Sequence, residues 1–203
     1  RVEAHIEALK GLTRGEVTIA TMNGLAAGPL PRFLSGILDA HPRVHIRLKV
    51  LQLDQVTNAV LTGEADLALT YNPILSPGIR IVATHDLHLG AVVSAKHPLA
   101  KRHPLRLVDC AEVPMAIPDH PMTIRPAIDH AFTHASIPLH PTIETNSIEF
   151  MKKIARSGQA ITFLNPVDVA EEVRAGEIRY LPLHELVGHP ISLKLMVRAR
   201  GGL

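Results

Sequence analysis

The chain of 203 residues has little of what marks several common protein classes. Its one cysteine, Cys110, cannot form a disulfide within the chain, which is typical of a reducing cytosol. The formal net charge of +2 is too small to indicate a surface that binds nucleic acid. No apolar run is long enough to span a bilayer, and the first residues lack the pattern of a secretory signal. The composition therefore favours a globular cytoplasmic protein that has no membrane segment.

Motifs for catalysis and metal binding are also missing. No serine lies in a Gly-x-Ser-x-Gly elbow, and no GxGxxG follows the first predicted strand, so a dinucleotide cofactor is not expected. Among 13 histidines, His85 and His88 are three residues apart, and His130 and His134 are four apart. A structural zinc site uses about four ligands, and neither pair has an evident partner. We therefore expect no catalytic residues, no cofactor and no metal.

A strand–helix–strand–helix–strand pattern runs from Gly15 to Thr70. Residues 16–21, 44–50 and 66–70 are predicted strands. The first helix between them has an apolar stripe with the spacing that packs against a sheet. Asp54 is predicted to cap the second helix, which Gly63 ends. Open α/β sheets bind ligands beyond the carboxyl ends of their strands, so this pattern points to a small-molecule site.

A second α/β series begins near residue 115, after a stretch rich in proline and charge. Strands are predicted at residues 115–117, 142–144, 160–164 and 178–181. Thr123 is the predicted cap of one helix, with Pro126 in its first turn, and Asn146 caps the next helix in a capping box with Glu149. Residues 191–197 are a strand predicted to return to the first lobe. We therefore predict one lobe from residues 15–95 and 187–203, and a second from residues 96–186.

Several short segments resemble the effector-binding domain of LysR-type transcriptional regulators. They follow one another at intervals similar to those of the family, at residues 15–20, 30–31, 41–42, 63–68, 97–100, 157–161 and 176–178. The resemblance covers nearly all of residues 10–200. It implies an α/β fold of two Rossmann-like lobes joined by two crossover strands, which is the type II periplasmic-binding-protein-like fold. Asn165-Pro166 departs from the family pattern, because a commonly found proline is shifted by one position.

The resemblance also implies what accompanies these lobes. Residues 1–14 would be the end of a linker helix, and the N-terminal DNA-binding domain, a winged helix-turn-helix, would be absent from this chain. Operator DNA would then be bound only through that missing domain. The family further implies a homodimer or homotetramer, with residues 31–40 and 44–50 near an interface.

Helix N-termini expose N–H groups and a partial positive charge, which suit a carboxylate or phosphate. The turn at residues 21–24, Thr123 and Asn146 all precede predicted helices. The resemblance implies effector contacts at Asn23, Gly24, Leu53, Tyr71, Thr123 and Ile124. The neighbouring helix starts and strand ends add Thr21, Gln52, Thr70, Thr145 and Asn146. Capping alone would also explain each threonine and asparagine.

The resemblance implies a ligand-sensing domain of a cytoplasmic transcriptional regulator. A small effector, namely an organic acid, amino acid or aromatic acid, would bind between the lobes and change their orientation. That change would alter DNA binding and transcription by the full-length protein. The main alternative is a periplasmic-type solute-binding protein of a transporter, and a second is a small-molecule enzyme on the same scaffold.

Overall fold

The structure is a computed structural model and describes residues 15–199. The linker helix predicted for residues 1–14 lies outside this range. The described residues form two compact units. Unit 1 contains residues 15–85 and 192–199, and unit 2 is Asp86–Ile191. The chain therefore passes between the units twice, through strands that begin in one unit and end in the other.

Unit 1 contains the predicted strand–helix–strand–helix–strand series. Its elements are β1 (Glu16–Thr21), α1 (Asn23–Ala27), α2 (Pro29–Ala40), β2 (His45–Val50), α3 (Leu53–Leu61), β3 (Leu67–Tyr71), β4 (Ile79–Leu87) and β10 (Ile191–Arg198). The strand order in the sheet is β2-β1-β3-β10-β4. Strand β1 is parallel to β2 and β3, whereas β10 is antiparallel to β3. The predicted return of residues 191–197 to this sheet is confirmed.

Helix α3 covers the middle of this sheet. Val56 and Val60 are fully buried and pack in one cluster with Ala20, Ala68 and Met196 from three strands. The helix ends before Gly63, whose φ of +80° is the left-handed conformation that glycine adopts readily. At the other end of α3, the predicted N-terminal cap, Asp54, is wrong by two residues.

Gln52 occupies the N-cap position of α3, and Asp54 lies inside the first turn. The backbone N–H of Gln52 donates to Oε1 of Gln55 at 3.3 Å. A glutamine side chain at the N-cap is uncommon, because Ser, Thr, Asp and Asn are the preferred residues there. Asp54 was therefore the natural choice from the sequence.

The apolar stripe of α2 is only partly covered by its own unit. Leu30 is buried, but the exposed fractions of Phe33 and Leu38 are 40% and 44%. Leu48 and Val50 on the following edge strand, β2, are also exposed. The prediction that the whole stripe packs on the sheet was therefore wrong, and unit 1 presents unpartnered apolar side chains on two consecutive elements.

Unit 2 contains the second α/β series. Its strands are β5 (Gly90–Ser94), β6 (Ala116–Pro118), β7 (Ile143–Thr145), β8 (Thr162–Leu164) and β9 (Ile178–Pro182). Its helices are α4 (Leu107–Cys110), α5 (Arg125–His134), α6 (Ile148–Ser157), α7 (Ala170–Arg174) and α8 (His184–Val187), with a 3₁₀ helix at Pro98–Lys101. Strand β5 pairs antiparallel with β8 and β9, and β6 pairs parallel with β7. The Phe132 and Phe163 rings meet edge to face at 5.8 Å within this unit.

The boundary between the units differs from the predicted one. Residues 86–95 and 187–191 were assigned to the first lobe, but they belong to unit 2. All five residues of β5 are buried, and its neighbours are β8 and β9. An apolar strand that is buried on both faces does not indicate in its own sequence which sheet it joins.

Two predicted helix caps in unit 2 were shifted by one residue. Ser147, not Asn146, caps α6, and its Oγ accepts a hydrogen bond from the Phe150 N–H at 3.2 Å. Ile124, not Thr123, occupies the N-cap position of α5, where no side chain caps the helix. Pro126 does lie in the first turn of α5, as predicted. No helix among residues 15–199 is long and apolar enough to cross a membrane.

Candidate functional site

The strands β1, β2 and β3 end together at one side of unit 1, which we call the unit 1 carboxyl edge. In the sheet, Thr21 pairs with Val50 on one side and with Leu69 on the other. The Leu51 N–H also donates to the Thr21 carbonyl at 2.9 Å. This edge gathers the predicted effector residues of unit 1, which are Thr21, Asn23, Gly24, Gln52, Leu53, Thr70 and Tyr71.

Two threonines at this edge differ in what their hydroxyls contact. Thr21 is fully buried, and its Oγ1 donates to the Leu69 carbonyl at 2.8 Å, so this hydroxyl stabilises the sheet. Thr70 is also fully buried, yet its Oγ1 has no hydrogen-bond partner among residues 15–199. A buried hydroxyl without a partner costs about 1–3 kcal/mol. Of these two threonines, Thr70 is therefore the one whose hydroxyl the described residues leave unpaired.

The other predicted residues of unit 1 differ in exposure. Asn23 and Gln52 are exposed, whereas Gly24 and Leu53 are partly buried. Tyr71 is only 5% exposed, so its ring is buried rather than lying on the surface.

The strands β6, β7 and β8 end at one side of unit 2, the unit 2 carboxyl edge. Pro118 pairs with Thr145, and Met115 forms a parallel bridge with Ile161, directly before β8. The predicted residues of this unit, Thr123, Ile124, Thr145 and Asn146, follow or lie at the ends of these strands. The Thr145 hydroxyl accepts a hydrogen bond from the Ser147 N–H at 3.2 Å, and Ile124 is buried. Asn146 is exposed.

Arg125, which the sequence analysis missed, joins three elements at this edge. It is 6% exposed. Its Nε donates to Asp129 at 2.7 Å, and its Nη1 donates to the Pro118 carbonyl at 2.8 Å and to Glu144 at 3.2 Å. Burial opposes the charge of Arg125, but the hydrogen bonds to Asp129 and Glu144 outweigh it and raise the pKa of the guanidinium. The i,i+4 spacing of Arg125 and Asp129 was visible in the sequence, but Glu144 as a partner was not.

Lys152 forms a second buried ion-pair group in unit 2. Its Nζ lies 2.8 Å from Glu149 Oε1 and 2.7 Å from Glu172 Oε1. Burial opposes the ammonium charge, and the two carboxylates outweigh burial, so the pKa of Lys152 is raised. Glu149 was predicted to complete a capping box at the start of α6. Its carboxylate instead binds Lys152, which ties α6 to α7.

The histidine pairs acquire one neighbour that the sequence did not reveal. The His130 ring lies 3.9 Å from that of His189 and 6.0 Å from that of His134, measured between ring centroids. Within residues 15–199, no three histidine, cysteine or acidic side chains are placed to hold a metal ion.

A surface groove of about 380 Å³ lies on unit 1, along α3 and beside the predicted Gln52 and Leu53. It is lined by Leu51, Asp54, Gln55, Asn58, Ala59 and Glu64. Two carboxylates in the lining repel an anion, so this groove does not suit the acidic effector predicted from the sequence.

Residues 10–202 match the model of the LysR substrate binding domain. The chain belongs to the LysR substrate-binding domain family. Among curated relatives, the HTH-type transcriptional regulator SsuR of Burkholderia cenocepacia is 34% identical over 122 residues, which are 60% of this chain and 40% of that protein. The chain spans 40% to 64% of the length of the first three curated relatives that it matches.

Solved structures share the fold of this LysR substrate-binding domain. The cofactor-binding domain of the Cbl transcriptional regulator has a TM-score of 0.76 at 22% identity, over 95% of this chain and 83% of that chain. The Synechocystis PCC6803 CcmR regulatory domain, solved in complex with 2-PG, has a TM-score of 0.73 at 20% identity, over 94% of this chain and 90% of that chain. The predicted type II periplasmic-binding-protein-like fold is thus confirmed, and the relatives favour a regulator domain over a transporter component.

Proposed function

We propose that this domain senses a small organic anion and that the full-length protein is a cytoplasmic transcriptional regulator. Membership of the LysR substrate-binding domain family supports this proposal. SsuR is named as a regulator, and the CcmR domain was solved with a small bound molecule, 2-PG. The effector is an organic acid, amino acid or aromatic acid, and the domain binds it without turning it over.

The observation that carries the proposal is the Thr70 hydroxyl. It is fully buried, has no partner among the described residues, and lies at the carboxyl end of β3. Ligands of open α/β sheets bind at such strand ends. An effector that hydrogen-bonds to Thr70 removes the cost of an unpaired hydroxyl, and this gain is available only when the effector is bound.

The charge of the effector is inferred from the helices that begin at these edges. Helix α3 starts at Leu53, with two residues between it and the end of β2, and α6 starts at Ile148, with two residues between it and the end of β7. Each helix start carries about half a positive charge and up to four N–H groups that have no partner within the helix. A carboxylate placed at such a helix start gains hydrogen bonds from these N–H groups.

Binding alters transcription only if the effector prefers one arrangement of the full-length protein. A ligand with equal affinity for two arrangements leaves their populations unchanged, however tightly it binds. We propose that a DNA-binding domain of the full-length protein contacts operator DNA and that its affinity for the operator differs between these arrangements.

We also propose a homodimer within a homotetramer. The exposed Phe33 and Leu38 on α2, with Leu48 and Val50 on the edge strand β2, support a subunit interface there. Exposed strand edges and apolar side chains are commonly covered by a second subunit.

A threonine-to-valine pair tests the binding proposal. Thr70→Val removes the hydroxyl and keeps the shape, and Thr57→Val makes the same change at another buried hydroxyl of unit 1 that has no partner among the described residues. A thermal-shift screen of organic, amino and aromatic acids first supplies a ligand, whose Kd is then measured by calorimetry.

We expect Thr70→Val to raise that Kd about tenfold, which corresponds to one lost hydrogen bond, while Thr57→Val leaves it within about twofold. Both variants should melt at or above the temperature of the parent protein, because each removes an unpaired buried hydroxyl. Equal Kd values for all three proteins would exclude Thr70 from the site.

A further inference from the structure

A side chain that the sequence analysis did not select lies at the unit 2 carboxyl edge. Strand β8 is joined to β6 by the parallel bridge between Met115 and Ile161, so β8 ends on the same side as β6 and β7. Asn165 is the residue that directly follows β8. It is therefore at the same edge as Thr145 and Asn146, which were already predicted to contact the effector.

The carboxamide of Asn165 is fully buried, and neither of its polar atoms has a partner. Among residues 15–199, both Oδ1 and Nδ2 lack a hydrogen bond. The turn after β8 does not use this side chain, because it is the Asn165 backbone carbonyl that accepts from the Asp168 N–H, at 3.1 Å. A structural asparagine in an Asn-Pro turn would normally bond to its own backbone. The turn therefore does not account for an asparagine at this position.

A second side chain with an unpartnered polar atom lies at the same edge. In the sheet, Gly90 at the start of β5 pairs with Leu164 at the end of β8, so the residues beyond them leave the sheet on one side. His88, two residues before Gly90, has a buried Nδ1 without a partner among the described residues. Its backbone carbonyl is fixed by the Tyr180 hydroxyl, which donates to it at 2.6 Å. Asn165 and His88, which lie beside the neighbouring strands β8 and β5, thus both have unsatisfied polar atoms at the unit 2 carboxyl edge.

We propose that Asn165 recognises the effector through both of its amide atoms. This inference rests on the proposed function and narrows the effector class. Nδ2 donates to an oxygen of the acidic group, and Oδ1 accepts from a donor beside it, which is a hydroxyl or an ammonium group. The effector is therefore a hydroxy acid or an amino acid. A simple carboxylate, or an inorganic anion that only accepts hydrogen bonds, leaves Oδ1 buried and unpaired.

Matched acids test this inference by calorimetry on the intact chain. The pairs are malate against succinate, lactate against propionate, alanine against propionate, and salicylate against benzoate. In at least one pair, we expect the member with the added donor to bind about tenfold or more tightly, because sites built to bond a hydroxyl or amine discriminate strongly against analogues that lack it.

Asn165→Leu assigns this preference to one side chain. Leucine has the same number of side-chain heavy atoms as asparagine, branched at the same carbon, and cannot form hydrogen bonds. The affinity ratio within the pair should therefore fall to about twofold or less. The melting temperature should stay the same or rise, because an unpaired buried amide is removed. Asn58→Leu, the same change at an exposed position on α3, should keep the full ratio.

The outcomes separate the inference from the proposed function. If simple acids bind as tightly as their hydroxy or amino partners, or if the ratio survives in Asn165→Leu, the inference is wrong and the sensing function stands. If no acid binds the parent protein, both are wrong. Should Asn165→Leu not fold, the side-chain amide resonances of Asn165 in the parent protein decide. A shift with the hydroxy or amino member of the discriminating pair and not with its simple partner supports the inference, and equal shifts contradict it.

Discussion

The buried polar residues of this domain fall into two groups with different consequences. Arg125 and Lys152 are each paired with two carboxylates, and these pairs hold strands and helices of unit 2 together. Thr70 and Asn165 have buried polar atoms without partners among the described residues, and both lie where strands end. Paired groups are explained by folding, because they satisfy one another. Folding leaves the polar atoms of Thr70 and Asn165 unpaired, and our proposal assigns a ligand to them.

Part of this arrangement could be predicted from residue types. Thr21 and Thr70 were selected because they lie at predicted strand ends. The structure distinguishes them, because only the Thr21 hydroxyl donates a hydrogen bond to the Leu69 carbonyl. Asn165 was noted only as a departure from the family pattern. Whether a buried side chain has a partner depends on atoms from distant segments, as with Arg125 and Glu144, and such proximity is not readable from spacing.

Cys110 gives a prediction at the scale of one residue. Burial first, and then the nearby charges of Asp109 and Glu185, raise the pKa of the Cys110 thiol from its ordinary value near 9 to about 12. Below pH 9 the thiol is neutral in both the folded and the unfolded chain, so its titration does not lower the free energy of unfolding. Between pH 9 and 12 the unfolded chain loses this proton and the native protein does not, so stability falls. At pH 10 the loss from this thiol is roughly 1 kcal/mol.

The measurement is urea unfolding at pH 7 and pH 10. Cys110→Ala should lose about 1 kcal/mol less than the parent protein between these values, since the other titrating groups are shared. An identical loss in both proteins would contradict the assignment of a raised pKa to the folded thiol.

At the scale of elements, helix starts lie beside strand ends throughout the domain. The types and order of the elements in unit 1 were predictable, because α3 and the parallel strands have clear periodicity and Gly63 marks a helix end. The caps were displaced by one or two residues because Asn146 and Ser147, like Gln52 and Asp54, offer adjacent capping choices. Backbone dihedral angles decide between such neighbours, and composition does not.

The α6 cap gives a prediction at this scale. Ser147→Ala removes the side chain that accepts from the Phe150 N–H and should cost about 1 kcal/mol, or roughly 2–4 °C in Tm. Asn146→Ala should cost under about 0.5 kcal/mol, because this exposed side chain does not cap the helix. Thermal unfolding followed by circular dichroism measures both. A larger loss of stability for Asn146→Ala than for Ser147→Ala would show that Asn146 caps α6, as the sequence predicted.

At the scale of the whole molecule, the chain builds two units that share two strands. The boundaries were predicted too late at residue 95 and too early at residue 187, because β5 pairs with strands that follow it by about 70 residues or more.

The stripe on α2 was correctly identified as apolar, but its burial depends on what else is present. An amphipathic pattern in the sequence does not show whether the apolar face of the helix packs on its own sheet or on a second subunit.

The oligomer is testable with one matched pair of variants. Leu38→Asp places a charge on the exposed apolar face of α2, and Val108→Asp does the same at an exposed valine of α4 in unit 2. By sedimentation velocity, we expect Leu38→Asp to reduce the mass toward the monomer and Val108→Asp to keep the mass of the parent protein. A monomeric parent protein, or equal masses for both variants, would contradict an interface at α2.

Binding of an organic acid at the strand ends is tested most directly by backbone amide NMR of the domain, titrated with the tightest acid from the thermal-shift screen. The proposal predicts that the largest shifts occur at residues 21–24, 52–53 and 70–71 and at residues 123–124, 145–146 and 165. Shifts confined to the groove around Asp54 and Glu64, or no shifts with any acid, would contradict it.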